Sequence, residues 1–174
     1  YIGTGGYDGD FWEWNQANNI WSKKANYRGQ IAVIDSNGNP SQIEWVVGAI
    51  GFSIGNKGYI GTGNYGGTYY NDFWEWDQAT DTWTQRTNFP AQGRLGAVGF
   101  SIGSKGYIGT GNDGNGNWFN DFWEWDQSTD TWSQKANLPA NGRYSAFGFA
   151  IGAKGYIGTG ISGSNFLNDF WEWD

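Results

Sequence analysis

The segment Lys-Gly-Tyr-Ile-Gly-Thr-Gly occurs at Lys57–Gly63, Lys105–Gly111 and Lys154–Gly160, and Tyr1–Gly5 opens a further copy. Each copy is followed by Phe-Trp-Glu-Trp, at Phe11–Trp14, Phe73–Trp76, Phe122–Trp125 and Phe170–Trp173. Tyr59 and Tyr107 are 48 residues apart, and Tyr107 and Tyr156 are 49 apart. A period of about fifty marks a supersecondary unit that cannot bury its own hydrophobic face and must stack on its neighbours. The residues that recur are those that build the unit, so the repeat speaks to fold rather than to ligand.

Aromatic residues make up 20% of the chain, with thirteen Trp, and Gly occurs thirty times in 174 residues. Bulky aromatics separated by many turn residues predict an all-β protein of short strands. The net charge of −7 argues against nucleic acid, whose phosphates need clustered Lys and Arg. No apolar run is long enough to insert into a bilayer. The absence of Cys removes disulfides and thiol chemistry, and the absence of His removes the commonest general base and transition-metal ligand. With no Met either, the sequence reads as a processed product or a fragment.

One repeat, residues 93–137, divides into four strands. Val98, Phe100 and Ile102 alternate with Ala97, Gly99 and Ser101, a period-two strand signal with small residues suited to a crowded inner position. Gly103–Gly106 is a tight turn, Tyr107–Gly111 a second strand, and Asn112–Asn120 a Gly- and Asn-rich loop. Asp121–Trp125 is a third strand, Asp126–Asp130 a polar turn and Thr131–Lys135 a fourth strand. Six residues separate Trp14 from Trp21, Trp76 from Trp83 and Trp125 from Trp132.

A Gly-containing close to the second strand, then an aromatic, then a Trp after that fixed gap resembles the kelch repeat of the galactose oxidase-like superfamily. The phrases NDFWEWD and GYIGTG are similar to those of kelch domains in exported or cell-surface bacterial proteins. The chain departs from the family in reading Thr-Gly for the usual Gly pair and Trp for the third-strand Tyr. The resemblance implies a kelch-type β-propeller of four-stranded antiparallel blades, and an extracellular or cell-surface location. On this reading 1–25 is a partial blade with strands two to four, and 26–46 is an inserted loop or hairpin. Residues 47–87 and 93–136 are blades, and 142–174 is a partial blade with strands one to three. That is about three and a half blades, an open segment of a larger propeller. The remaining blades are expected from missing chain or from a second copy.

In such a blade the loop between strands two and three lies on the same face as the connection to the next blade. The turns of the opposite face are nearly constant, whereas Asn64–Tyr70, Asn112–Phe119 and Ile161–Leu167 differ from one another. The varied face carries Tyr65, Tyr69, Tyr70, Asp113, Asn117, Trp118, Phe119 and Phe166, and is the expected binding face. The alternative for each aromatic is that it caps the blade edge. The same face holds a 14-residue insertion: Trp21 to Val46 spans 25 residues where Trp83 to Arg94 and Trp132 to Arg143 span 11. Ile31–Asp35 and Gln42–Val46, flanking Ser36-Asn-Gly-Asn-Pro40, predict a hairpin at its rim or packed on a neighbouring blade.

Copper-radical oxidases of the kelch superfamily need a Cys-linked Tyr and His ligands, which this chain lacks. The sialic acid mutarotases are a second kelch enzyme class. Arg94 and Arg143 precede strand one, where a guanidinium could fork onto a ligand carboxylate or bond loop carbonyls as a structural group. Val46 stands at the matching position of the blade after the insertion. Glu13, Glu75, Glu124 and Glu172 recur in every third strand and so read as structural rather than catalytic. Two Asp-x-Asn-x-Asn stretches, Asp35, Asn37, Asn39 and Asp113, Asn115, Asn117, echo the start of a calcium loop but lack its sixth-position Gly and twelfth-position Glu; Asx turns explain them more simply. The expectation is therefore a non-catalytic module, with no cofactor or metal, that binds protein or glycan. The alternatives are a sugar-active enzyme of the mutarotase type and a structural spacer.

Overall fold

The computed structural model describes residues 2–3, 10–27, 32–34, 40–43 and 46–174. These residues contain strands and turns but no helix, and hence no helix long and apolar enough to cross a membrane. The strands are β1 (Ile2–Gly3), β2 (Phe11–Asn15), β3 (Ile20–Lys24), β4 (Ala32–Ile34), β5 (Pro40–Ile43), β6 (Ile50–Ile54) and β7 (Lys57–Gly61). They continue as β8 (Asn64–Tyr65), β9 (Thr68–Tyr69), β10 (Phe73–Asp77), β11 (Thr82–Gln85), β12 (Val98–Ile102), β13 (Lys105–Gly109), β14 (Phe122–Asp126) and β15 (Thr131–Lys135). The last are β16 (Phe147–Ile151), β17 (Lys154–Gly158), β18 (Ile161–Ser162), β19 (Asn165–Phe166) and β20 (Phe170–Trp173).

Four antiparallel sheets follow one another along the chain. The first is β1-β2-β3, the second β6-β7-β10-β11, the third β12-β13-β14-β15 and the fourth β16-β17-β20. The second and third have four strands each, and the two outer sheets have three. Three small hairpins, β4-β5, β8-β9 and β18-β19, stand outside these sheets. Repeated antiparallel sheets of this kind are consistent with a β-propeller-like arrangement.

The recurrent Trp spacing has a direct cause. Trp76 lies opposite Trp83, Trp125 opposite Trp132 and Trp14 opposite Trp21. Between the members of a pair runs a turn closed by Asp: Asp77 Oδ1 accepts from Ala79 N at 2.8 Å and Asp81 N donates to Asp77 O at 2.9 Å. Asp81 adopts a positive φ of 53° and accepts the Trp76 indole N–H at 2.9 Å, as Asp130 does for Trp125. An Asx turn thus sets the register that places the two indoles side by side.

Neighbouring sheets meet along their innermost strands. β12 lies against β6 on one side and β16 on the other. At the head of these strands Gly96 N donates to Gly48 O at 2.9 Å, and Ser145 N donates to Gly96 O at 2.8 Å. One edge of the molecule is therefore laced by a running chain of backbone bonds. The outer edge is laced as well. Trp83 Nε1 donates to Ala25 O and Trp132 Nε1 to Thr87 O, each at 2.9 Å, while Ala25 N and Thr87 N donate back to Asp81 and Asp130.

Between these edges the sheets bury aromatic faces. Phe52, Tyr59 and Phe73 stack with centroids 5.4–5.9 Å apart, and Tyr59 and Phe73 then meet Trp125 of the next sheet at 5.0 Å. Phe100, Tyr107 and Phe122 repeat the stack; Tyr107 and Phe122 meet Trp173. Trp76 and Trp125 are buried in this way, whereas Trp14, at the same repeat position, is 43% exposed. The rings that cover Trp76 and Trp125 come from a preceding sheet: Phe11 for Trp76, and Tyr59 and Phe73 for Trp125. At the other end Phe147 (76% exposed), Phe149 and Ile151 lie uncovered where Val98 and Phe100 are buried.

The recurrent Glu residues serve the sheets. Glu75 accepts Tyr59 OH at 2.8 Å and a two-point bond from Arg86, and Glu124 accepts Tyr107 OH at 2.8 Å. Burial raises the Tyr59 and Tyr107 hydroxyl pKa values, and the adjacent carboxylates reinforce the shift. The constant turns are held by Lys57 with Asp77 and Lys105 with Asp126.

Candidate binding face

The connection entering each innermost strand lies beside the loop between the second and third strands. Isolated bridges join Val47 to Asn64, Leu95 to Asn112 and Tyr144 to Ile161. The two connections of each unit therefore share one end of the molecule. The varied segments are partly ordered into hairpins: β8-β9 turns at Gly66-Gly67, and β18-β19 pairs Ile161 with Phe166. The middle segment instead makes a single bridge, Asn112 to Trp118.

Adjacent segments touch. The Tyr69 side chain lies over Gly114, where a Cβ would come within 1.9 Å of its hydroxyl oxygen. Gly142 packs as tightly on the Trp118 carbonyl, at 1.9 Å from a Cβ position. Tyr69 thus joins the second unit's hairpin to the third unit's loop, and Trp118 joins that loop to the connection entering the fourth. Trp118 is 40% exposed and Phe166 86% exposed, and Asn117 is exposed too. Tyr65, Tyr69, Tyr70 and Phe119 are half-buried.

Asp113 is buried and its oxygens are turned inward. Oδ1 accepts from Asn115 N at 2.9 Å and Asn117 N at 3.3 Å, and Oδ2 accepts from Asn117 Nδ2 at 2.8 Å. The Asn117 amide holds the Asp113 carboxyl below its usual range, against a smaller opposing effect of burial. The stretch Asp113, Asn115, Asn117 is thus a closed Asx turn. Asp35, Asn37 and Asn39 lie outside the described residues. In the insertion, β4 and β5 pair antiparallel with a register shift at Val33/Ile34, while Ile31 and Trp45 lie outside the described residues. No group of three or more acidic side chains placed to hold a metal occurs among the described residues.

Arg94 and Arg143 are buried and committed to protein partners. Arg94 Nε donates to Gln92 O at 3.0 Å and Nη1 to Thr110 O at 2.9 Å, while Nη1 and Nη2 fork onto the two Asp121 oxygens at 2.5 and 3.0 Å. The guanidinium also lies over the Phe119 ring at 4.1 Å and the Phe89 ring at 4.7 Å. Arg143 repeats the pattern with Asn141 O, Thr159 O and Asp169. Of the two roles open to these arginines, this geometry is the structural one. Their carbonyls extend it, since Gly63 N donates to Arg94 O and Gly111 N to Arg143 O, from one sheet to the next.

Sequence reasoning missed Val47, Leu95 and Tyr144. They sit beside the inner lacing of Gly48, Gly96 and Ser145 on the varied end, and Val47 is 44% exposed. Their variation shortly before the constant Ala49, Ala97 and Ala146 was the available signal.

No family model matches the chain, and no curated protein does. The solved structure titled "Structure of YjhT" is similar to it, with a TM-score of 0.57 and 22% identity over 67% of this chain. The match covers 35% of that structure's length, so the likeness is one of fold over about a third of the other chain.

Proposed function

We propose that the four sheets are blades of a kelch-type β-propeller that recognises a protein or a glycan, without catalysis, through the end carrying the varied connections. The observation that supports this most is the contrast within each repeat. The backbone lacing of that end is repeated from sheet to sheet, while its side chains change and leave Trp118 and Phe166 exposed. Exposed aromatic platforms suit sugar rings and protein hot spots, because they offer large area at small rotamer cost. Further blades, from a longer chain or a second copy, would cover Phe147, Phe149 and Ile151. The resemblance to exported bacterial kelch domains supports an extracellular or cell-surface setting. The mutarotase-type reading relied on Arg94 and Arg143, whose donors are engaged by Asp121 and Asp169. The test is a glycan array run beside a pull-down against cell-surface proteins. Saturable, selective retention on either supports recognition; retention on neither leaves the spacer role as the better reading.

A further inference from the structure

On the varied end a glycine follows an Asn or Asp at Asp113-Gly114, Asn115-Gly116 and Asn141-Gly142; Asp8-Gly9 and Asn37-Gly38 lie outside the described residues. A glycine has no side chain to keep its backbone nitrogen away from the side-chain carbonyl carbon of the residue before it. The structure treats the three pairs differently. Gly114 N donates to Asn112 Oδ1 at 2.9 Å, and the Asp113 oxygens accept from Asn115 N, Asn117 N and Asn117 Nδ2. At the last pair Asn141 O accepts from Nε of the buried Arg143 at 3.4 Å. Gly142 is wedged there against the Trp118 carbonyl, which a Cβ would approach to 1.9 Å. The middle pair is held at neither point. Asn115 O accepts no hydrogen bond and Gly116 N donates none among the described residues, and a Cβ on Gly116 would meet nothing within 4 Å. Both residues are exposed, at the tip of the turn that Asp113 and Asn117 close.

We propose that Asn115 is a self-modification site, at which the side-chain amide converts spontaneously to a carboxylate. The Gly116 backbone nitrogen attacks Asn115 Cγ, forming a C–N bond and closing a cyclic succinimide. The Cγ–Nδ2 bond breaks, and the side-chain nitrogen leaves as ammonia with the proton taken from Gly116 N. Water then opens the ring. Addition at Cγ gives Asp, and addition at the main-chain carbonyl gives isoaspartate, whose backbone runs through Cβ and Cγ. Ring closure requires rotation about the Asn Cα–C bond, which swings the peptide carbonyl and the following glycine together. That peptide is free at Asn115-Gly116 and pinned by Arg143 and Trp118 at Asn141-Gly142. Intramolecular attack depends steeply on placement, a misplacement of about 1 Å costing about 100-fold. The Asn115 side chain makes the smallest of the contacts that favour the ionised Asp113, and it stays exposed. Either product sets a new negative charge in the loop that carries Trp118. Isoaspartate also adds an atom to the main chain of a turn whose length is fixed by Asp113 Oδ1 accepting both Asn115 N and Asn117 N.

The test incubates the whole folded chain in mildly alkaline buffer prepared with heavy-oxygen water, and a second sample in the same buffer with denaturant. Peptide mapping by mass spectrometry, with fragmentation that separates Asp from isoaspartate, reads the label at each site over time. In the folded chain Asn115 should convert about tenfold or more faster than Asn141. In denaturant, where Arg143 and Trp118 no longer pin the second site, the two rates should come together. Asn115→Gln, which would need a larger ring, should remove the signal from the loop. The proposal is overturned if Asn115 keeps its amide in the folded chain over a period that converts it in denaturant. It is equally overturned if Asn141 converts as fast as Asn115 in the folded chain, or if the ratio of the two rates is the same folded and denatured.

Discussion

The ring of Phe52 lies on Gly106 of the following sheet, so that a Cβ at Gly106 would sit 2.4 Å from Phe52 Cζ. The contact recurs one unit on, between Phe100 and Gly155. A side chain at Gly106 must push a ring out of a packed aromatic stack, and overpacking of this kind costs about 1–3 kcal/mol. Gly106→Ala should therefore lower the urea midpoint clearly, and Gly58→Ala, whose Cβ would meet Trp76 at an ordinary 3.6 Å among the described residues, should leave it nearly unchanged. Parallel urea titrations of the two variants check this; equal losses would contradict the packing scheme.

Trp125 and Trp14 occupy the same place in two repeats but differ in cover. Trp125 is held by Tyr59, Phe73 and the Asp130 carboxylate, and Trp14 is 43% exposed. Trp125→Ala should cost about 3–5 kcal/mol, as for a large core truncation. Trp14→Ala should cost about 1 kcal/mol or less, near the surface range. Chemical denaturation followed by circular dichroism measures both.

Arg94 is buried against Asp121, and removing it leaves a partly buried carboxylate without its partner. Arg94→Leu should destabilise the chain by about 3–5 kcal/mol. Arg94→Lys should recover little, because an ammonium cannot reproduce the fork onto Asp121 together with the bonds to Gln92 O and Thr110 O. Stability measurements on the two variants distinguish this clamp from a ligand-binding arginine, whose loss would leave the midpoint intact.

The acid limb of stability should be steep. Hydrogen bonds from Arg143 pull the Asp169 carboxyl from 3.8 down to about 2, against burial and with help from the Trp171 indole. Burial pushes the Glu75 carboxyl up, but bonds from Arg86 and Tyr59 outweigh it and leave it below its ordinary value. A carboxylate with a depressed folded pKa stabilises the fold above its unfolded pKa. It loses that contribution as pH falls through the folded one. The denaturation midpoint should drop between about pH 4 and pH 2, and Asp169→Asn should flatten part of that drop. Urea titrations at stepped pH read both slopes.

Thr62, Thr110 and Thr159 adopt φ values of 61–62°, a left-handed backbone that is rare for a β-branched residue. The hydroxyls of Thr62 and Thr110 are buried without a hydrogen-bond partner among the described residues. Thr110→Val keeps the shape and removes an unsatisfied group, so it should be neutral or stabilising, by up to about 1–3 kcal/mol. Destabilisation in a thermal melt would show that the hydroxyl is satisfied.

The sequence exposes the scaffold because the scaffold is what repeats. The gap between Trp76 and Trp83 is the turn from Asp77 to Asp81, and the alternation around Val98, Phe100 and Ile102 is an innermost strand. The role of Arg94 was not legible, since an arginine before a strand reads alike whether it faces a ligand or the carboxylate of Asp121 at the entry of another strand. Nor was the order in Asn64–Tyr70 and Ile161–Leu167, where Gly-rich loops fold back as hairpins. Gly58, Gly106 and Gly155 are identical in sequence, and nothing in it shows that the rings of Phe52 and Phe100 press on Gly106 and Gly155 from the neighbouring sheet.

The most direct test of recognition through the varied end is a paired substitution, measured on whichever array glycan or surface protein the wild-type chain retains. Trp118→Ala and Phe166→Ala remove side chains of that end, and Lys105→Ala changes a constant turn of the opposite end. The account predicts that Trp118→Ala or Phe166→Ala lowers affinity by about 2 kcal/mol or more at unchanged melting temperature, and that Lys105→Ala binds as wild type. Normal binding by both aromatic variants together with loss in Lys105→Ala would contradict it.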